Sequence, residues 1–310
     1  MAGTKVKVIV LRAAGVNCDR EMVRAFEMAG AQVELVHIQR LVEKSRKLSE
    51  FDILGVPGGF TYGDDISAGR ILATELTRRL GDDLRAFVDK GRPVIGVCNG
   101  FQVLVKTGIL PGPDKTGEPT IATLTNNDSG QFECRWIRLL ITPGNCIWTR
   151  GMQDQVLDMP VAHGEGKFLV GAGSKAARAL LAGGQTPFLY SAGSQREVRH
   201  STRLLGAPDV PKYNPASSKR STRMQKKSSA ILEAVQYPHN PNGSPCNIAG
   251  VCDTKGLVLG LMPHPERYIL ACQHPYWTRQ KAELDFSGST MPPGAGLKIF
   301  QNAVNYVAGS

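Results

Sequence analysis

The chain has 310 residues, 42% hydrophobic, 21% charged and 6% aromatic, with a formal net charge of +10. That apolar content excludes a disordered chain, ordinary Gly and Pro usage excludes a collagen-like repeat, and no apolar run approaches the roughly 20 residues that span a bilayer. Length alone suggests about two domains of roughly 150 residues, and the basic excess raises nucleic acid as a partner until its distribution is read.

The start, Met-Ala-Gly-Thr-Lys-Val-Lys-Val, lacks a signal peptide's apolar segment, so the expected location is cytoplasmic, with no membrane partner. Val6 to Leu11 is a short β-branched run and predicts a buried strand. Gly15-Val16-Asn17-Cys18-Asp19 then predicts a loop and a helix start, because Asn and Asp side chains cap free N–H groups. Met22, Phe26 and Ala29 recur at helical spacing until Gly30. Val33–Val36 and Phe51–Val56 read as strands, the second halted by Pro57-Gly58-Gly59. Leu72 to Val88 predicts a helix, Val94–Val97 a fourth strand, and Asn99 to Lys106 a helix closed by Gly108. This alternation predicts an α/β fold: a largely parallel sheet with helices on both faces.

The middle, 119–170, breaks into shorter strands at Ile121–Leu124, Phe132–Leu140 and Phe168–Val170. Residues 193–228 carry Ser, Pro, Lys and Arg without apolar period and read as a loop or disordered insertion, taken as 193–230. Residues 191–230 hold nine basic side chains against two acidic ones, +7 of the +10. The excess therefore belongs to one segment. Its only aromatic residue, Tyr213, offers little for bases to stack on, so no nucleic-acid partner is expected. Strand signal returns at Val258–Met262. Leu297, Ile299, Phe300, Ala303, Val304 and Val307 then form an amphipathic helical stripe.

Gly96-Val97-Cys98-Asn99-Gly100-Phe101-Gln102 runs a buried strand straight into a cysteine and then into a helix. This is a nucleophile-elbow pattern with Cys in place of Ser. The turn is tight, so the residues two before and two after must be small, and they are Gly96 and Gly100. The helix N-terminus behind Cys98 favours the thiolate, and the Asn99 N–H points to where an oxyanion would form. The bland alternative is a buried structural cysteine.

Met262-Pro263-His264-Pro265-Glu266-Arg267 follows a strand, and the prolines hold His264 extended. Glu266 then points the same way as His264 and can orient the imidazole, the base-plus-orienter pattern of a catalytic triad. Val56-Pro57-Gly58-Gly59-Phe60-Thr61-Tyr62-Gly63-Asp64 also ends a strand and should lie at the same sheet edge, with the Gly59 N–H as a second oxyanion donor.

Other patterns carry less. Gly171-Ala172-Gly173-Ser174-Lys175-Ala176 fits a dinucleotide-loop pattern but lacks a long preceding strand and an acidic residue about 20 positions on. Cys246, Cys252, Cys272 and His274 match no metal-cage spacing. Seven cysteines without a CxxC pair read as reduced thiols, and Cys18 as structural or at an interface.

The elbow, the His-x-Glu and the Pro-Gly-Gly segment together resemble the class I (triad-type) glutamine amidotransferases, a flavodoxin-like fold. Within them, Gly15–Asp19, Pro57–Asp64, Asn127–Trp136, Ala162–Phe168, Asn240–Ser244 and Pro263–Arg267, in that order, resemble the glutaminase subunits of phosphoribosylformylglycinamidine synthase. The match runs over 5–308 and implies one amidotransferase domain enlarged by the insertion. It implies that Cys98 attacks the carboxamide of L-glutamine, that Asn99 and Gly59 hold the oxyanion, and that His264, oriented by Glu266, protonates the departing ammonia and then activates water. It also implies Gln102, Asn127, His163 and Gly164 as substrate-pocket residues. The implied partners are a synthetase subunit, which would hold ATP and Mg, and a small accessory subunit; no cofactor or metal is implied in this chain. Two departures stand out: Ala14 before Gly15, where the family often has proline, and the insertion itself. The open alternatives are a glutaminase serving a different ammonia-using synthetase and an inert amidotransferase-like basic binding protein.

Overall fold

The computed structural model describes residues 5–64, 67–113, 117–118, 120–171, 173–193, 234–283 and 291–309. Apart from Gly193, the predicted insertion at 193–230 lies outside the described residues.

Four strands follow the predicted apolar runs: β1 (Lys7–Arg12), β2 (Gln32–His37), β3 (Ile53–Val56) and β4 (Val94–Val97). β3 and β4 are buried at every position, the mark of strands covered on both faces. β1 pairs parallel with β2 and β3, and β3 pairs parallel with β4. β11 (Val258–Leu261) pairs parallel with β4, with Gly96 opposite Gly260 and Val97 opposite Leu261. That register decides the chemistry, because it sends the chain leaving β4 at Cys98 and the chain leaving β11 toward His264 out of the sheet side by side.

Past β11 the sheet turns antiparallel. β10 (Ile248–Cys252), β9 (Phe188–Ser191), β6 (Glu133–Ile141) and β7 (Val156–His163) complete one sheet of nine strands, ordered β2-β1-β3-β4-β11-β10-β9-β6-β7. Of the predicted middle strands, the one at Phe132–Leu140 is thus part of the same sheet, as β6. A small antiparallel pair, β5 (Ala122–Thr125) with β8 (Lys167–Val170), stands apart from it.

Helices α1 (Asp19–Met28) and α3 (Arg70–Asp89) connect parallel strands, with a short α2 (Ile38–Val42) after β2, and α4 (Asn99–Lys106) follows β4. α3 buries Leu72, Leu76, Leu80 and Leu84 along one stripe. α5 (Ser174–Ala182) and α6 (Trp277–Glu283) follow, and the C-terminal α7 (Leu297–Ala308) lays its apolar face on the core, Phe300 meeting Phe26 edge-on at 4.9 Å. Among the described residues, no helix is long and apolar enough to cross a membrane.

Candidate active site

Cys98 has φ 52° and ψ −109°, a backbone conformation that side-chain-bearing residues rarely adopt. It sits between β4 and α4, where a Cβ on Gly100 would lie 1.9 Å from the Val56 carbonyl oxygen. A Cβ on Gly96 would lie 2.6 Å from the Gly100 carbonyl oxygen. The sharp turn therefore requires both glycines, as the spacing predicts. The Cys98 N–H donates to the Leu261 carbonyl at 2.8 Å, locking the elbow to β11, and its thiol rests 3.4 Å from the Ala162 carbonyl of β7.

His264 and Glu266 are both fully buried. The His264 Nδ1–H donates to Glu266 Oε1 at 2.6 Å, which fixes the tautomer and leaves Nε2 with no hydrogen-bond partner. A Cβ on Gly58 would lie 2.9 Å from His264 Cε1 and 3.4 Å from both Cys98 Cβ and Cys18 Sγ, so three side chains meet around one glycine. Burial alone would favour neutral imidazole. The Glu266 carboxylate outweighs it, the Cys98 and Cys18 sulfurs add to its effect, and the His264 pKa stands well above the ordinary histidine value. An imidazolium beside a nucleophilic sulfur is the resting state a thiolate mechanism needs.

The predicted oxyanion loop is held by the N-terminal segment. The N–H groups of Asn17 and Cys18 both donate to the Gly58 carbonyl, at 3.3 and 3.2 Å, and the Phe60 N–H donates to the Gly15 carbonyl at 2.9 Å. Gly59 itself has φ 148°, and its own N–H takes no part in these bonds. Asn99 is the first residue of α4, where a backbone N–H has no intrahelical acceptor. Its side chain accepts from Thr61 Oγ1 at 2.7 Å and donates to Asp64 at 3.1 Å and to Gln102 at 3.0 Å, tying the oxyanion loop to the elbow helix.

The opposite wall comes from the antiparallel half. Gln102 Nε2 donates to the Glu165 carbonyl at 2.6 Å. The Asn127 side chain donates to the carbonyls of Gln131 and His163, both at 2.8 Å, and accepts from the Gly166 N–H and His163 Nδ1, both at 3.0 Å. The carboxamides of both predicted pocket residues are thus spent on fixing the 163–166 loop. A Cβ on Gly166 would strike the His163 ring at 2.4 Å, whereas one on Gly164 would meet only Phe132, at 3.8 Å. Burial and the neighbouring His264 push His163 down to about 4, so it is neutral at physiological pH, and its Nε2 has no partner.

Three contacts escape sequence reasoning. Arg267 Nη2 donates to Cys18 Sγ at 3.1 Å, which puts Cys18 against the triad rather than at an interface. Tyr190 on β9 is fully buried, close enough to Cys98 for the sulfur to raise its pKa in the same direction as burial, and its OH accepts from Asn242 at 2.8 Å. Asn242 also donates to the Gly166 carbonyl at 2.8 Å, so the Asn-Pro-Asn-Gly-Ser turn braces the same wall. The only signal for these contacts was the quoted motif, since no spacing in one sequence reveals a contact between residues 18 and 267. The His274 ring packs against Trp136 and Tyr268. Gly173 follows the four-residue β8 and precedes α5, so the glycines lack the long preceding strand that a dinucleotide loop needs.

The model of the CobB/CobQ-like glutamine amidotransferase domain matches residues 5–222 and 198–307. A phosphoribosylformylglycinamidine synthase subunit PurQ of Dehalococcoides mccartyi is 41% identical over 304 residues, 98% of each chain. The same-named protein of Treponema denticola is 40% identical over 86% of this chain and 89% of its own. Among solved structures, a chain of PurLQS from Thermotoga maritima superposes with a TM-score of 0.63 at 23% identity, covering 98% of this chain and 99% of that one, and so shares the fold.

Proposed function

Because the chain belongs to the CobB/CobQ-like glutamine amidotransferase family, we propose that it is the glutaminase subunit of phosphoribosylformylglycinamidine synthase. It hydrolyses L-glutamine to glutamate and ammonia and supplies the ammonia to a synthetase subunit. The observation that carries this reading is the His264–Glu266 pair at 2.6 Å, with a free Nε2 beside a cysteine on a strained elbow.

The Cys98 thiolate attacks the side-chain carboxamide carbon of glutamine. Charge moves onto the carbonyl oxygen, which the N–H groups of Gly59 and Asn99 stabilise. The His264 imidazolium protonates the nitrogen as the C–N bond breaks, and ammonia leaves. Neutral His264 then takes a proton from water, which attacks the thioester; glutamate departs and the thiolate returns. Glu266 holds the ring throughout. Gln102 and Asn127 serve the substrate by fixing the 163–166 wall, while Gly164 supplies room and His163 Nε2 an open polar atom.

No step needs a metal or cofactor in this chain; ATP and Mg belong to the synthetase, which converts formylglycinamide ribonucleotide to its amidine. A small accessory subunit completes the complex, and the setting is the cytoplasm. Phe60 and Phe132, exposed and 6.1 Å apart beside the oxyanion loop and the 163–166 wall, give the synthetase an apolar rim to cover. The test is reconstitution with that synthetase. Formylglycinamidine ribonucleotide should form from glutamine and stop on Cys98→Ala, while added ammonia still supports synthesis. Retained glutamine-dependent synthesis with Cys98→Ala would refute the mechanism, and failure with this acceptor alongside intact glutaminase would point to another synthetase.

A further inference from the structure

We propose that Cys18, His264 and Glu266 form an inhibitory binding site for a thiophilic divalent cation of the zinc class. One sulfur, one ring nitrogen and one carboxylate oxygen from these three buried side chains lie within 4.8 Å of one another, the only such cluster among the described residues. Two of the three also carry an unsatisfied buried atom: His264 Nε2 and Glu266 Oε2 have no hydrogen-bond partner. Buried polar atoms without partners are uncommon and costly, and thiolate, imidazole and carboxylate are the donors that zinc prefers. Three protein ligands leave a fourth position for water.

Cys18 takes no part in the glutaminase reaction, yet its sulfur is aimed at the triad. Arg267 Nη2 fixes it at 3.1 Å, an N–H···S contact that a metal-bound thiolate can keep. A Cβ at Gly58 would touch both the sulfur, at 3.4 Å, and the imidazole, at 2.9 Å, so the two border the same small space. On binding, the Cys18 thiol and the His264 imidazolium Nε2 each release a proton to solvent, and the cation takes the sulfur and ring-nitrogen lone pairs so freed. His264 can then no longer serve Cys98, and glutamine hydrolysis stops until the metal is removed. The inhibition rests on the glutaminase reading above; the binding does not.

Equilibrium dialysis of the full chain against Zn²⁺, with glutaminase assayed in the synthetase complex, tests both. One Zn²⁺ should bind per chain, activity should fall as the metal loads, and a chelator should restore it. Cys18→Ser should bind Zn²⁺ at least about tenfold more weakly and, measured against its own metal-free rate, lose the inhibition. Cys98→Ser should bind Zn²⁺ as the unaltered chain does, an arm that stands even if Cys18→Ser fails to fold. Loss of binding in Cys98→Ser, equal inhibition of Cys18→Ser, or no stoichiometric binding would each overturn the site. Absence of glutaminase in metal-free protein would instead sink the functional reading and leave the dialysis result standing.

Discussion

The two halves of the sheet meet at Cys98 and do different work. The parallel half, β2-β1-β3-β4-β11, carries the proposed reacting groups beyond the ends of its strands: Cys98 after β4, Gly58 and Gly59 after β3, His264 after β11. It places them through backbone geometry, with glycines where a Cβ would collide and a cysteine at positive φ. The antiparallel half, β10-β9-β6-β7, contributes a wall whose shape is set by side-chain amides, Asn127 and Asn242 above all. Reactive groups thus rest on backbone constraints that tolerate almost no substitution, and the wall rests on hydrogen bonds that can be removed one at a time.

Substitutions can break or sharpen that division. The largest effect is expected at Glu266→Gln, which should lower kcat about 10³-fold with little change in KM, because the base loses its orienter. Glu266 holds the His264 pKa up, so the alkaline limb of kcat/KM should move to lower pH in the variant. Stability should follow the same sign. A raised folded-state pKa stabilises fully below the unfolded histidine value, and the benefit is lost as pH rises through the folded one, so Glu266→Gln should flatten that loss in denaturant titrations at several pH values. A limb that does not move would mean Glu266 is no partner of the base.

Gly100→Ala comes next. The added Cβ would lie 1.9 Å from the Val56 carbonyl oxygen, where only backbone can yield, and a loss of about 3 kcal/mol or more is expected in urea unfolding. On the other side of the site, Asn242→Ala removes the bonds to Gly166 and Tyr190 and strands buried partners. It should cost about 2 kcal/mol and raise KM more than it lowers kcat. The smallest effect belongs to Gly164→Ala, within about 0.5 kcal/mol, since its Cβ would meet only Phe132 at 3.8 Å. If Gly164→Ala were as damaging as Gly100→Ala, the contrast between the halves would be wrong.

The same contrast explains what the sequence made legible. β4 and α4 coincide with their predicted spans, because a continuous apolar run ending in Gly-x-Cys-x-Gly leaves little choice. α3 extends the predicted helix by only a few residues. In the antiparallel half, β7, β9 and β10 went unread. β7 carries Pro160 at mid-strand, which normally argues against a strand, but it is the edge strand, where a missing N–H costs little. β10 contains Gly250, required because a Cβ would lie 2.9 Å from the Gly260 carbonyl oxygen. β9 is four residues long. The proposed triad is legible because Cys98 directly follows β4, and His264 and Glu266 come shortly after β11, each in a motif with its own physical logic. The approach of Cys18 to His264 was not, because it depends on how two distant loops pack.

Covalent labelling by a glutamine-mimicking electrophile tests most directly the proposed role of Cys98 as the nucleophile that His264 activates. Intact-mass analysis should find one adduct per chain, peptide mapping should place it on Cys98, and His264→Ala should slow its formation sharply, while Cys18→Ser should still carry one adduct on Cys98. Labelling of Cys18 or another cysteine at comparable rate, or an adduct on Cys98 that forms equally fast without His264, would contradict the account.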